Sequence, residues 1–143
     1  MNWTLFTLAE CGLSAKEREV IGRSLPAGRD QKVLDGVLAR MRTAAAHSGA
    51  IDPVDGTLPP ELRNDAAAIV RHLLALELPS GIGNHDEARE KAFERAMDMV
   101  KDLAAGRVPI SRPAAPEGVP GSLFSPRFSA RAQRFDAASQ EGA

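Results

Sequence analysis

After Gly106 no helix can continue. Pro109, Pro113, Pro116 and Pro120, with Gly118 and Gly121 among them, recur too closely for any helical register to survive. Proline lacks an N–H, clashes with the turn before it and biases its predecessor toward extended backbone. The 143-residue chain therefore divides into a body, residues 1–106, and an extended C-terminal arm, residues 107–143. Fully extended, the arm reaches on the order of 120 Å. That distance far exceeds the width of the body, so the arm is long enough to touch a neighbouring molecule.

Within the body the expectation is all-α: a small bundle of about four main helices. Ala, Leu and Arg are abundant and aromatic residues scarce, which favours helix because short and straight side chains lose little rotamer freedom there. Ser14 and Glu17 make a capping box that opens the first helix, "SAKEREVIGRSL", whose apolar face is small (Val20, Ile21, Leu25) and needs partners. Asp30 reads as the N-cap of the second, in which Leu34, Val37, Leu38, Met41 and Ala45 form one stripe and Gly49 a left-handed stop. From Pro60 a third helix carries Leu62, Ala66, Ile69, Leu73 and Leu76 on one stripe, broadened by Val70 and Leu74. A face this wide predicts a central helix touched on two sides. Asn84 and Glu87 read as the opening of the fourth helix, which buries Phe93, Ala96, Met97, Val100, Leu103 and Ala104 and ends at Gly106.

No constellation of catalytic groups is visible. His47, His72 and His85 are scattered over three elements, and His72, within an apolar helix, reads as a satisfied or rim histidine before an acid–base group. Asp52, Asp55 and Gly56 lack the alternating ligands and terminal Glu of a calcium loop. The single Cys11 excludes an internal disulfide or a multi-cysteine metal site and reads as a buried bystander. No nucleophile elbow, zinc-protease helix or phosphate loop occurs, so neither an enzyme nor a cofactor is expected. The body carries 13 basic and 16 acidic residues and the arm five and three. Neither is the basic surface that drives counterion-release binding to nucleic acid. No apolar run is long enough to cross a bilayer, and "MNWTLFTLAECG" lacks the features of an export signal. Neither membrane association nor secretion is expected.

The arm holds the feature that a solitary domain leaves unexplained. Of five Phe and one Trp in the chain, Phe124, Phe128 and Phe135 lie beyond the proline break, with Leu123 and interleaved with Arg127, Arg131 and Arg134. Aromatic and Arg side chains concentrate binding energy at interfaces, through large burial at low entropic cost and forked hydrogen bonding. These seven residues are the candidate partner-binding site.

The order of features, "LPPELRNDAAAIVRHLLALEL", a short polar loop, "EAREKAFERAMDMVKDLAAGRVPI", then a Pro-rich tail with the Arg134–Phe135 pair, resembles the Mu-type phage neck proteins, small helical head-to-tail adaptors. The resemblance is best over residues 57–112 and includes an A-x-G-x-V-x-I helix exit at residues 104–110. The tyrosine common near the end of the family's preceding helix is absent, which leaves room for a related neck or gene-transfer-agent component. What the resemblance implies is a structural role with no catalytic residue. Copies, twelve in the usual case, form a ring with adjacent adaptor subunits on the portal protein, assembled in the bacterial cytoplasm and carried in the virion neck. The ring extends the DNA channel without sequence-specific binding and receives the stopper or tail terminator. The arm residues become anchors on the portal or a neighbouring subunit. An alternative from another class is a nucleic-acid-binding packaging or regulatory module, similar to a small terminase subunit.

Overall fold

A computed structural model describes residues 2–47, 49, 51–79 and 86–113. In chain order these form β1 (Thr4–Leu5), a 3-10 turn at Leu8–Cys11, α1 (Ala15–Ser24), α2 (Arg29–Ala46), β2 (Thr57–Leu58), a second 3-10 turn at Pro60–Leu62, α3 (Arg63–Glu77) and α4 (Glu87–Ala104). The fold is all-α with four helices, and its one sheet among the described residues is a two-residue antiparallel ribbon pairing Thr4 with Leu58 and Leu5 with Thr57.

Helices α1 and α4 start where a side chain accepts from the first turn, and α2 starts at a turn. Ser14 accepts from the Glu17 N–H and Glu17 accepts from the Ser14 N–H, which completes the expected capping box of α1. The N-cap of α2 is Gly28 at φ +79°, not Asp30. The turn closed by the Arg29 N–H to Pro26 carbonyl bond needs a left-handed residue there, and Asp30 instead sits in the first turn, on the favourable side of the helix dipole. The N-cap of α4 is Asp86, whose carboxylate accepts from the Arg89 N–H at 2.7 Å. Asn84, the expected cap, lies outside the described residues.

The core is built by α2, α3 and α4, with α3 in the middle against both others and against the first 3-10 turn. This central position explains why Ala66, Ala67, Ala68, Ile69 and Val70 are all buried. Three alanines in succession let neighbours approach on several sides. Leu74 is buried as expected, but the stripe fails at its end, where Leu73 is only partly buried and Leu76 is 59% exposed. At 100° per residue Leu76 lies roughly 200° round from Leu74, off the buried face. On α4, Ala96, Val100 and Leu103 are buried, Phe93 and Met97 are partly buried, and Ala104 is exposed rather than buried. By contrast α1 delivers only Ile21 to the core.

The N-terminal segment supplies what the sequence reading did not assign. Trp3 and Phe6 are buried in the core cluster, and two arginines clamp the ribbon beside them. Arg42 donates to the Thr57 carbonyl and hydroxyl and to the Asp52 carbonyl, with its guanidinium 5.8 Å from the Trp3 ring centre. Arg63 donates to the carbonyls of Thr4 and Leu5, pairs with Glu10, and stands 5.4 Å from the Phe6 ring. A two-residue ribbon is too short to persist alone. The planar guanidinium forks satisfy its free carbonyls and cover its aromatic neighbours at once.

Candidate functional site

Residues 107–113, read from the sequence as the beginning of the arm, lie on the body as a strap. Gly106, at φ +73°, turns the chain out of α4, and Val108 and Ile110 then pack against the core. Two polar contacts hold the strap at its end. The Trp3 indole N–H donates to the Ser111 carbonyl at 2.6 Å, while the Ser111 N–H and hydroxyl both donate to the Glu61 carboxylate. Those bonds, the Ser111 hydroxyl foremost, hold the Glu61 carboxyl below the usual carboxylate range. The first arm residues are thereby fixed to the 3-10 turn that precedes α3 and to the N-terminal segment.

Leu123, Phe124, Arg127, Phe128, Arg131, Arg134 and Phe135 lie outside the described residues. The structure thus places the root of the arm but not its proposed anchors. Around the ribbon, Leu5, Ile51 and Val54 are exposed apolar side chains.

On another side of the body, α1 and α3 flank a cleft of about 410 Å³. Leu13, Val20, Leu74 and Leu78 contribute apolar wall, and Glu17 and Arg89 pair across it at 2.6 Å. The Arg89 hydrogen bond is the main reason the Glu17 carboxyl is held below its ordinary value. Arg71 also lines the cleft and makes no hydrogen bond or ion pair among the described residues; its Nε–H is buried without an acceptor. Its guanidinium rests over Gly12, where a Cβ would come within 3.1 Å of Nη1.

Cys11 is fully buried beneath this region. Burial pushes its thiol up to about 11, against a smaller opposite effect of Arg71. A thiol so protected is a poor nucleophile. His72 stacks on Phe93 with ring centres 3.8 Å apart at the contact of α3 with α4, which fits a packed rim histidine. Among the described residues no three His, Cys, Asp or Glu side chains converge as a metal site, and no described helix is long and apolar enough to cross a membrane.

No family model, curated protein or solved structure matches this chain. The functional reading therefore rests on the chain's own residues and on the resemblance described above. The sequence reading missed Trp3, Glu61 and Ser111 because the pairing spans 108 positions and leaves no local pattern. Arg71 was missed because an Arg on a helix reads as a solvated charge until its neighbours are known.

Proposed function

We propose that the protein is a structural head-to-tail adaptor of a tailed phage, prophage or gene transfer agent, forming a ring on the portal. The observation that supports this reading best is the strap. A connector must transmit a partner's grip on its arm to a firm body, and the bonds that Ser111 accepts from Trp3 and donates to Glu61 tie the root of this arm to the core. Beyond Pro113 remain 30 residues carrying three Phe and three Arg, a composition suited to a partner's groove. Exposed Leu5, Ile51 and Val54 beside the ribbon add apolar surface for packing between subunits.

In this reading the body forms the ring wall around the DNA channel, the arm docks on the portal, and the opposite face receives the stopper or tail. No group is assigned a chemical step. The test is sedimentation of the purified chain with the portal encoded alongside it, followed by electron microscopy. Rings capping the portal are expected. Deleting residues 120–143 is expected to leave the circular dichroism of the body unchanged and abolish co-sedimentation; retained binding would remove the arm from the mechanism. A salt-sensitive shift of DNA by the chain alone would favour the packaging-module alternative instead.

A further inference from the structure

The cleft between α1 and α3 joins an apolar wall to two cations that lack partners among the described residues. Lys16 and Arg71 both line it, and neither makes an ion pair or hydrogen bond among the described residues, whereas Glu17 and Arg89 satisfy each other. A half-buried guanidinium without an acceptor is costly, and a carboxylate that meets its planar fork is its best-matched ligand. Gly12 leaves room for that guanidinium. Because α1 delivers only Ile21 to the core, apolar surface of the partly buried Leu13, Val20 and Leu78 is left on the cleft wall. Its volume of about 410 Å³ falls within the range of roughly 300–1,000 Å³ usual for clefts that enclose a ligand.

We propose that this cleft receives residues 135–141 of a second copy of the chain, with Phe135 against the apolar wall and Asp136 on Arg71. The segment lies outside the described residues, and its sequence fits the cleft in two ways. Residues 135–143 contain Phe135, Asp136 and Glu141 and no basic residue, so two acids face the two unpaired cations. Phe135–Asp136 is also the only site beyond Pro113 where a large apolar side chain is adjacent to an acid. The residues between Pro113 and Phe135 span up to roughly 70 Å when extended, enough to leave one body and reach the next. The choice of a second copy rests on the ring reading. It assigns Phe135 to the neighbouring adaptor, leaving Phe124 and Phe128 for the portal.

The test uses the full chain with a benzoylphenylalanine photo-cross-linker replacing Phe135, prepared in light and heavy isotope forms, mixed and irradiated without portal. Mass spectrometry is expected to find light–heavy cross-links to Leu13, Val20 or Leu78. Asp136→Arg, which leaves the body untouched, should cut their yield about tenfold, the factor that corresponds to a loss of 1.4 kcal/mol. Adding Arg71→Glu in the same chain should restore it. Cross-links to other surfaces, cross-links confined to one copy, or a yield indifferent to Asp136→Arg would each overturn the proposal. Portal is absent from every arm of this experiment, so its outcome is separate from that of the co-sedimentation test: a chain that ignores the portal but cross-links as described would sink only the adaptor reading.

Discussion

Trp3 does two jobs with one side chain: its ring fills the core at 4% exposure and its N–H holds the strap. Trp3→Ala should cost about 3–5 kcal/mol in urea unfolding, as for other large buried rings. Trp3→Phe keeps most of the packing and should cost about 1 kcal/mol for the lost bond to Ser111; an equal loss for both would show that the bond, not the ring, dominates. Cys11 offers a second single-residue test through pH. The folded protein holds the thiol protonated up to about 11, while the unfolded chain ionises it near 9.0. The unfolded state therefore loses its proton first, and the contribution of Cys11, fully present below pH 9, declines as pH rises from 9 to about 11. Unfolding free energies measured across that range should fall more steeply in the native sequence than in Cys11→Ala, and parallel curves would refute the burial argument.

Among the elements, α1 depends most on its ends. Ser14→Ala removes the acceptor for the Glu17 N–H and should cost about 1 kcal/mol, read by denaturation. Glu17 also ties α1 to α4 through Arg89, and its carboxyl titrates below the ordinary value chiefly because of that bond. The stability it provides is present above the ordinary carboxylate pKa of about 4.3 and is lost as pH falls through the lower folded value. Arg89→Gln should accordingly flatten the acid limb of a stability profile, and an unchanged limb would mean the pair contributes little. The helices were legible because their stripes repeat: Leu34, Val37, Leu38 and Met41 on α2, and Ala96, Val100 and Leu103 on α4, are buried as their spacing predicts. The α3 stripe was legible in part, since neighbours on several sides bury Ala67, Ala68 and Ala75 while Leu76 faces outward. β1 and β2 were not legible, because two residues are too few to show an alternation and the arginines that hold them come from distant helices. The cleft escaped notice for a related reason. Its character comes from what α1 fails to cover, and a sequence pattern records what a helix buries.

For the whole molecule, packing against the body continues past Gly106 through Val108, Ile110 and Ser111. Ending the chain after residue 113 keeps every strap contact described above and serves as the reference. Ending it after residue 106 removes Val108, Ile110 and the acceptor for Trp3, and should cost about 2–4 kcal/mol, scaled from partial burial of two aliphatic side chains and one hydrogen bond. Fluorescence of the single Trp should shift to the red in the shorter form only; identical spectra would place the strap outside the cooperative unit. The strap also sets a timetable. At 5–20 residues per second, synthesis separates Trp3 from Ser111 by roughly 5–20 s, during which the indole exists without its acceptor. Uncovered apolar surface is what chaperones and proteases act on. The Trp3–Ser111 bond therefore closes late: a chain broken off before residue 111 keeps that apolar surface uncovered and open to triage.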